Sequence, residues 1–421
     1  MSKIDDFLKK YLQHPDDIDY EETLNAFIED MDKGLKGEPS TLMMIPTYLS
    51  VSGSIQRGRK VLAIDAGGTN LRLGLVSFND EGYELTRFYK QKMLGVGEPL
   101  NKEQFLDRLS DLILPYLDET DSIGFCFSFP SEITPDKVGI VLSFAKEVYV
   151  SGCEGMHIGA ELSRVLHEKG VEKPLYFYLL NDTVATLLGG PIIQNTDGQI
   201  GFILGTGTNT AYLEKTENIK KISNDSENMI INMESGMYGR VKQGYFDQLV
   251  DSKSALPNDH LFEKMISGVY LGKVIRETLV QAFYEDLFDT NSRILQLPEF
   301  DMAVVSSYLL DKRGSNILSD ACYSEEDRQN MDEIIDRALE RAAKLVSINL
   351  LAIILKTGCG KKAPCQIVVE GSTFHKCLPL QNKIVKYLYD EAVVKHGRQY
   401  RFDQGEDVNM LGSAKAVLCN K

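Results

Sequence analysis

Apolar residues along the chain follow two periods, the 3.6-residue period of a helix and the two-residue alternation of a strand. Near the N-terminus they recur at i, i+3, i+4 and i+7, which predicts an amphipathic helix with Gly34 as its C′ residue. The residues that carry this pattern are Leu24, Phe27, Ile28 and Met31. Residues 61–64 then predict a buried strand, a turn follows at Gly67-Gly68, and residues 71–75 alternate as a second strand.

The pattern continues as an alternation of strands and helices. A third strand is predicted near residues 85–91, a helix at 105–113, a strand at 122–129 that Pro130 ends, a helix around 162–166 and a strand at 175–180. The predicted order of this first half is three strands, helix, strand, helix, strand. Such an order is typical of an α/β unit in which helices pack on a sheet.

The opening of this unit recurs later in the chain at a constant offset of 139 residues, from 64 to 203. The segment 64–70 aligns with the segment 203–209, and in both an apolar strand enters a glycine-rich turn that ends in Thr-Asn. A third strand is predicted at 230–233, long helices occupy roughly 258–356, and a buried strand follows at 366–369. The repeat predicts two α/β halves that face each other across a cleft.

Composition and charge exclude several classes of protein. The 421 residues include 46 Lys and Arg against 61 Asp and Glu, a net charge of −15, and the sequence has no basic stripe, so we expect no nucleic-acid partner. The hydrophobic content of 43% provides for a large folded core. Seven cysteines without a CxxC spacing predict reduced thiols rather than a disulfide framework or a zinc ribbon.

Two apolar stretches bear on membrane association. The longest apolar run, residues 345–355, is 11 residues long and is interrupted by Ser347 and Asn349, so it is too short to span a bilayer. The N-terminal residues have no signal-peptide core, and they lack the character of a transit peptide. Apolar residues between Ile4 and Leu12 share one helical face, which we expect to pack on the body of the protein. We therefore expect a cytoplasmic protein that does not bind membranes.

Both glycine-rich turns have the residue types of an anion site. Glycines allow a ligand to approach the backbone closely, and they point N–H groups into a concave turn. In the first turn, Thr69 adds a hydroxyl donor, Asp65 is placed to hold Mg²⁺ through water, and Arg72 is placed to neutralise charge on a transferred phosphoryl group. The second turn, residues 205–208, is placed to bind the remaining phosphates. Ordinary structural hairpins are the alternative, and the residues alone leave both interpretations open.

Three carboxylates are candidates for chemistry on a hydroxyl substrate. Asp182, in Asn181-Asp182-Thr183, follows a predicted strand, where α/β clefts bind ligands, and is placed to deprotonate a hydroxyl nucleophile. The alternative is that these residues only cap the following helix. Glu234 and Glu263 are either acceptors for a polyol or ordinary surface carboxylates. No pair of histidines has the spacing of a metal site.

About ten short motifs occur in a fixed order over some 390 residues of the sequence. They are Met31-Asp32-Lys33-Gly34-Leu35, Met44-Ile45-Pro46-Thr47-Tyr48, Ile64-Asp65-Ala66-Gly67-Gly68-Thr69-Asn70-Leu71-Arg72, Phe127-Ser128-Phe129-Pro130, Leu180-Asn181-Asp182-Thr183, Gly205-Thr206-Gly207-Thr208-Asn209, Ile231-Asn232-Met233-Glu234, Phe262-Glu263-Lys264-Met265-Ile266-Ser267-Gly268, Glu370-Gly371-Ser372 and Gly412-Ser413-Ala414-Lys415. In these motifs the chain resembles the eukaryotic-type hexokinase family, within the actin-like ATPase superfamily whose duplicated halves are ribonuclease-H-like.

The resemblance implies an α/β fold with two ribonuclease-H-like domains, one small and one large, that flank a deep cleft. The small domain would comprise residues 60–180 with the C-terminal helix 413–421, and the large domain residues 1–59 and 181–412. The implied activity is ATP-dependent phosphorylation of the 6-hydroxyl of a hexose (glucose foremost, then mannose or fructose), with Mg²⁺ on the phosphates, as the first step of glycolysis. The implied protein is a monomer or homodimer. A sugar-sensing or regulatory protein on the same scaffold is the alternative.

The resemblance also implies roles for individual residues. Asp182 is the implied base toward the sugar 6-hydroxyl, and Arg72 is its catalytic helper. The positions that line the hexose are Ser128, Phe129, Lys146, Asn181, Asn209, Glu234 and Glu263. The phosphate motifs are Asp65, Gly67, Gly68, Thr69 and Asn70 in the first turn, and Gly205, Thr206, Gly207 and Thr208 in the second. The adenosine region is implied at Gly371, Ser372, Thr373 and Ser413.

The chain departs from the family's usual residues at several of these motifs. Phe144-Ala145-Lys146 stands where the family usually has Trp-Thr-Lys, so Ala145 offers no hydroxyl to the sugar. One lost hydrogen bond costs about 1–3 kcal/mol if the sugar group stays unpaired. Ser235 replaces the tryptophan of Met-Glu-Trp-Gly, Leu411 replaces an acid, and Ala414 replaces a glycine. We expect these changes to affect sugar affinity and the adenine side rather than the catalytic carboxylate or the phosphate turns.

Overall fold

The computed structural model describes residues 2–51, 55–80, 82–144, 148–191, 193, 195–223 and 226–420. Its helices are α1 (Lys3–Lys10), α2 (Tyr20–Lys36), α3 (Lys102–Ile113), α4 (Ile158–Glu168), α5 (Asp182–Gly189), α6 (Tyr245–Ser252), α7 (Leu261–Ile266), α8 (Gly268–Tyr284), α9 (Met302–Leu310), α10 (Ile317–Ala321), α11 (Glu325–Thr357), α12 (Ser372–Lys376), α13 (Leu378–Leu388) and α14 (Val408–Leu418). Its strands are β1 (Ile45–Pro46), β2 (Val61–Ala66), β3 (Asn70–Asn79), β4 (Gly82–Lys92), β5 (Leu100–Asn101), β6 (Ser122–Phe127), β7 (Ser131–Ile133), β8 (Gly139–Val141), β9 (Val150–Ser151), β10 (Met156–His157), β11 (Tyr176–Leu180), β12 (Gln199–Leu204), β13 (Thr208–Lys215), β14 (Asn228–Asn232), β15 (Cys365–Glu370) and β16 (Tyr400–Asp403).

Two mixed sheets share the order and directions of five strands, and the second sheet has β1 as an additional sixth strand. The first sheet runs β11-β6-β2-β3-β4, and the second runs β1-β14-β13-β12-β15-β16. In each sheet, the strand that enters the glycine-rich turn (β2 or β12) pairs antiparallel with the next strand and parallel with a later one (β6 or β15). The repeat predicted from the sequence is therefore confirmed, because the two sheets are built alike and begin at the same motif.

Each sheet has its own hydrophobic core, and a third core lies between the sheets. The largest core gathers α1, α2, α8 and α11 around the second sheet, while α3 and α4 pack on the first. In the third core, α14 packs on β2, β3, β6 and β11 and also on α5, which itself lies on β12 and β13. Helix α5 therefore contacts elements of both halves, and its first residue, Asp182, lies where the halves meet.

The apolar face of the N-terminal helix packs on the body of the protein, as predicted. Ile4, Phe7 and Leu8 of α1 are buried, and the Ser2 hydroxyl caps the helix by accepting a hydrogen bond from the Asp5 N–H. Leu12 lies beyond the end of α1 and is 48% exposed, so it does not belong to this face. Among the residues that the structure describes, no helix combines the length and apolar character needed to cross a membrane.

Helix α2 is longer than its sequence pattern predicted. It continues to Lys36, and Gly37 ends it in the left-handed conformation with φ of 76°, so the prediction that Gly34 is the C′ residue was wrong. Gly34 lies inside the helix, where a Cβ would come within 2.5 Å of both the Leu42 carbonyl oxygen and the Met44 Cγ. A glycine is required at this position because the chain that follows the helix passes directly against its last turn.

Replacing Gly34 with alanine is expected to lower the midpoint of thermal unfolding. Alanine gains about 1 kcal/mol of helix propensity over glycine, but the new Cβ displaces the backbone at Leu42, and overpacking costs about 1–3 kcal/mol. Circular dichroism during heating measures the net effect. Asn25→Ala, at an exposed position of the same helix, is the matched control and should not lower the midpoint. A Gly34→Ala protein as stable as wild type would contradict this packing.

Candidate active site

A pocket lies between the two sheets, beside the first turn of α5. Its walls come from both halves, because β6, β7 and β11 contribute on one side and β1 and β14 on the other. The lining residues are Ile45, Thr47, Phe127, Phe129, Ser131, Ile133, Leu179, Leu180, Asn181, Asn232 and Glu234. The structure thus brings together three residues that the sequence predicted around a hexose, namely Phe129, Asn181 and Glu234.

The first glycine-rich turn connects β2 to β3. Asp65 and Arg72 are cross-strand neighbours beside the turn, and Arg72 Nη2 lies 2.9 Å from Asp65 Oδ2. Residues 67–70 form the turn, in which the Gly67 N–H donates to the Asn70 carbonyl at 3.0 Å. The Thr69 side chain is exposed. The turn therefore presents a hydroxyl group and glycine backbone next to an ion pair.

Asp65 is only 2% exposed, and this burial raises the pKa of its carboxyl above the usual value. The Arg72 guanidinium opposes the rise, as do hydrogen bonds from the side chains of Cys126 and Asn409, whereas the negative charge of Asp182 adds to it. The Asp65 and Asp182 carboxylates therefore lie close enough for the charge of one to affect the pKa of the other. A buried carboxylate beside phosphate-type turns suits Mg²⁺ held through water, because hard cations take oxygen ligands.

The second glycine-rich turn connects β12 to β13 and is held by hydrogen bonds within and beyond the hairpin. The Gly205 N–H donates to the Gly207 carbonyl at 2.9 Å, and the Thr208 hydroxyl donates to a carbonyl of β12 at 2.8 Å. The Thr208 N–H donates to Glu263 Oε2 at 2.9 Å. Thr208 therefore shapes the turn, whereas Thr206 is exposed at its tip, as Thr69 is in the first turn.

The segment that follows β15 supports the second turn. The Thr373 hydroxyl donates to the Gly205 carbonyl at 2.8 Å. Gly371 has φ of 112°, and a Cβ there would come within 2.4 Å of the Leu204 carbonyl group, so only glycine fits this approach. Gly371 and Thr373 thus hold the turn in place, and Ser372 is exposed at the start of α12.

Helix α5 begins at Asp182, and Asn181 is its N-cap residue. The Thr183 N–H donates to Asn181 Oδ1 and to Asp182 Oδ1, both at 2.9 Å. The interpretation of this motif as a helix cap is therefore confirmed. It does not exclude a chemical role, because the Asp182 side chain remains partly accessible beside the pocket.

Three asparagine side chains beside the pocket are linked to one another and to Glu234 by hydrogen bonds. Asn209 Nδ2 donates to Asn232 Oδ1 at 2.9 Å and lies 3.5 Å from Asn181 Oδ1. Asn232 Nδ2 in turn donates to Glu234 Oε1 at 2.7 Å. The arrangement places several hydrogen-bond donors and acceptors side by side, as a polyol requires.

Glu234 has an unusual backbone conformation and a shifted pKa. It is left-handed, with φ of 53°, two residues beyond the end of β14. Burial raises the pKa of its carboxyl, although the hydrogen bond from Asn232 opposes the rise. The charges of Asp182 and Glu263 raise the pKa further, and His260 lowers it. Non-glycine residues in this conformation persist only where their surroundings hold them, and they cluster at functional sites.

Aromatic residues form one wall of the pocket. The ring centroid of Phe129 lies 4.9 Å from that of Phe127 and 5.0 Å from that of Phe144. The Ser128 N–H donates to the Ala66 carbonyl at 3.1 Å, which ties this wall to the end of β2. Phe144, which stands where the family usually has tryptophan, therefore packs among phenylalanines beside the pocket.

Two of the predicted site residues are not placed at the pocket by these contacts, one because it lies outside the described residues and one because it is buried elsewhere. Lys146 lies outside the described residues, as does the neighbouring Ala145. Ser413 in α14 is fully buried, and its hydroxyl donates to the Asn409 carbonyl at 2.7 Å. The assignment of Ser413 to an adenosine region stays a prediction, as do the roles assigned to the other site residues.

Sequence reasoning missed two groups of residues at this site. Asn232 lines the pocket, and its signal was a single polar residue at the end of an otherwise apolar strand. Cys126 and Asn409 contact Asp65 from β6 and α14. No signal in the sequence marks these two, because the contacts join segments that are far apart along the chain.

Known proteins are similar to this chain over almost its whole length. Models of the hexokinase family match residues 3–191 and residues 199–419. Hexokinase-3 of Homo sapiens is 29% identical over 416 residues, which cover 92% of this chain and 44% of that protein. Hexokinase-2 of Solanum tuberosum is 29% identical over 443 residues, which cover 94% of this chain and 87% of that protein. The chain thus spans about half the length of the human relative and most of the plant one.

Solved structures share the fold. A hexokinase from Schistosoma mansoni, complexed with glucose, has a TM-score of 0.75 and 21% identity over 99% of this chain and 100% of that one. Another crystal structure of a hexokinase has a TM-score of 0.76 and 20% identity over 99% of each chain. The predicted two-part α/β fold is confirmed by these matches. Because the two family models together account for nearly all of its residues, the chain belongs to the hexokinase family.

Proposed function

We propose that the protein is a hexokinase that transfers the γ-phosphoryl group of ATP to the 6-hydroxyl of a hexose, with glucose as the first candidate. The observation that carries this proposal is the position of Asp182. Asp182 directly follows Asn181, which lines the pocket, and its charge raises the pKa of Glu234 in the pocket and of Asp65 beside the first glycine-rich turn. The candidate base thus lies between a site suited to a sugar and a site suited to phosphates.

The sugar would bind in the pocket between the sheets. Asn181, Asn209 and Glu234 offer planar donors and acceptors for hydroxyl groups, and Phe129 offers an apolar surface for the C–H groups of the ring. Binding sites for small molecules combine such an apolar wall with a few convergent polar groups. Glu263, which accepts from the Thr208 N–H, would connect the sugar site to the second turn.

The nucleotide would lie across the two glycine-rich turns. Thr69 and Thr206 are exposed at their tips, so each turn offers a hydroxyl and backbone N–H groups to phosphate oxygens. Gly371 and Ser372 border the second turn and are the candidates for contact with the adenosine. Asp65 would hold Mg²⁺ through water, and the cation would supply positive charge to the phosphates.

The residues of the chain would divide the phosphoryl transfer among them. Asp182 accepts the proton of the 6-hydroxyl as that oxygen forms a bond to the γ-phosphorus, and the bond from the γ-phosphorus to the oxygen of ADP breaks. Arg72 neutralises charge that develops on the phosphoryl group. Enclosure between the two halves keeps water from taking the phosphoryl group in place of the sugar.

We also propose a division into a small domain, residues 60–180 with 413–421, and a large domain, residues 1–59 with 181–412. Support for it comes from the first sheet, whose strands all lie within 60–180, and from α14, which packs on four of them. The strands of the second sheet all lie within the ranges assigned to the large domain.

Release of ADP from ATP and Mg²⁺, measured with a coupled assay, tests the proposed activity. Turnover is expected only with a hexose present, and a comparison of glucose, mannose and fructose identifies the acceptor. ATP hydrolysis that is indifferent to sugar would contradict the proposal. Binding of sugar without turnover would instead indicate a sugar sensor.

A further inference from the structure

The longest apolar run of the chain is interrupted by two polar residues of α11, Ser347 and Asn349, both of which are fully buried. The Ser347 hydroxyl is fully accounted for within the helix bundle, because it donates to the Lys344 carbonyl at 2.7 Å and lies 3.0 Å from the Tyr20 hydroxyl. Asn349 differs, since its side chain leaves the helix bundle and reaches the second sheet.

Asn349 begins a short chain of buried hydrogen bonds. Its Nδ2 donates to the Thr210 hydroxyl oxygen at 2.7 Å. The Thr210 hydroxyl oxygen lies 2.9 Å from that of Ser235. All three side chains have no exposed surface, so bulk water does not compete for these hydrogen bonds.

The two hydroxyl groups in this series of hydrogen bonds belong to residues that directly follow residues proposed to bind sugar. Thr210 follows Asn209 in β13, and Ser235 follows Glu234. The Ser235 N–H donates to Asn209 Oδ1 at 3.2 Å, so the two neighbouring pairs are also joined directly. Glu234 has a left-handed backbone, and the hydrogen bonds that hold Ser235 therefore also help to hold the backbone of Glu234 in that conformation.

The need for a stable core does not explain why an asparagine occupies position 349. Among the residues that the structure describes, the Asn349 Oδ1 is buried without a hydrogen-bond partner. A buried polar atom left unpaired lowers stability, and leucine would fill the same space at no such cost. Because Asn349 lowers stability, we expect it to have a functional benefit. Its hydrogen bond to Thr210, the neighbour of Asn209, connects it to the residues of the sugar pocket.

We infer that Asn349, Thr210 and Ser235 are positioning residues for the sugar site. Their hydrogen bonds fix Glu234 and Asn209 in the orientation that accepts and donates to sugar hydroxyls. Ser235 takes part through both its hydroxyl, which contacts that of Thr210, and its N–H, which donates to Asn209. The inference rests on the proposed function, because it concerns the affinity of the same pocket.

Thr210→Val removes the middle member of this series of hydrogen bonds, because valine keeps the shape of threonine and lacks only the hydroxyl. Loss of one net hydrogen bond that orients the site is expected to raise the KM for the sugar about tenfold, whereas kcat changes less than about twofold. Thr278→Val is the matched control. Thr278 is a buried threonine of α8 whose hydroxyl donates to the Val274 carbonyl at 2.8 Å, and its loss should leave KM unchanged.

Three further variants separate positioning from general stability. Thr210→Ser keeps the hydroxyl and should retain a KM close to wild type. Ser235→Ala combined with Thr210→Val should raise KM no more than the larger single effect, because both remove the same chain of hydrogen bonds. Asn349→Leu should raise KM several-fold without lowering the thermal midpoint, whereas a purely structural role would lower the midpoint and leave KM unchanged.

The outcomes distinguish this inference from the proposed function. If the wild-type protein neither turns over nor binds any hexose, the proposed function fails and the inference fails with it. If the wild type phosphorylates a hexose but Thr210→Val and Asn349→Leu leave KM unchanged, only the inference is overturned. A rise in KM for both variants, restored in Thr210→Ser, supports it.

Discussion

Asp182→Asn is expected to lower kcat by a factor of about 10² to 10⁴, the usual contribution of a general base, and to leave sugar binding nearly unchanged. Asparagine has the same shape and still accepts the Thr183 N–H, so the start of α5 is preserved. It does not take up the proton of the sugar 6-hydroxyl. Coupled ADP release measures kcat, and calorimetric titration with the hexose measures the dissociation constant.

The control for this loss is a second carboxylate that also accepts backbone hydrogen bonds. Asp197 accepts from the N–H groups of Gly360 at 2.5 Å and Lys362 at 2.9 Å, and it does not line the pocket. Asp197→Asn should therefore keep the wild-type kcat even if it lowers stability. An Asp182→Asn protein that retained more than about a tenth of the wild-type kcat would remove Asp182 from the role of base.

The duplicated architecture was predictable because its signal is local. A glycine-rich turn between two alternating strands occupies few residues, and it occurs twice with the same spacing of apolar positions. The cap at Asn181 was predictable for the same reason, since a cap depends on the next two residues. The end of α2 was not, because Gly34 is required by contact with residues 42–44 and not by its own helix.

Short strands escaped prediction. β7 and β8 have three residues each and β10 has two, which are too few for an alternating pattern to register. The strand predicted at 122–129 ends at Phe127, because the chain leaves the sheet before Pro130. These short strands nonetheless matter for the site, since Ser131 and Ile133 of β7 line the pocket.

The site itself was predictable where its residues adjoin a motif and not where a contact joins distant segments. Asp65 and Arg72 share one hairpin, and their pairing follows from the register of β2 and β3. The contact between Asn349 and Thr210 joins α11 to β13. In the sequence Asn349 registers only as a polar interruption of an apolar run. A single sequence therefore marks the residue as unusual and gives no indication of its partner.

Replacing Arg72 with alanine is expected to lower kcat. It is also expected to lower the stability of the fold, by an amount that depends on pH. Loss of a guanidinium that stabilises a developing charge costs about 10²- to 10³-fold in kcat. It also leaves Asp65 buried without its ion-pair partner. Breaking a buried pair costs about 3–5 kcal/mol. Because the Arg72 side chain is 35% exposed and solvent screens such pairs, we expect about 2 kcal/mol at neutral pH.

The pH dependence follows from the direction of the Asp65 shift. Burial already raises the pKa of this carboxyl, and removal of Arg72, which opposes that rise, raises it further. In the folded variant, Asp65 then stays protonated at pH values where the same residue in the unfolded chain, with an aspartate pKa of about 3.9, has lost its proton. Stability therefore falls as pH rises through this window. The midpoint of the variant should lie increasingly below that of wild type as pH rises, and this difference should level off above the native pKa.

A double variant separates the two losses caused by removing Arg72. Asp65→Asn combined with Arg72→Ala contains no buried carboxylate at this position, so its thermal midpoint should recover toward that of wild type and lose the added pH dependence. Its kcat should stay low, because neither the guanidinium nor the carboxylate is restored. If the double variant were as unstable as Arg72→Ala, the unpaired charge of Asp65 would not be the cause of the instability. If Arg72→Ala kept its kcat, the guanidinium would serve only to neutralise Asp65 and would have no part in phosphoryl transfer.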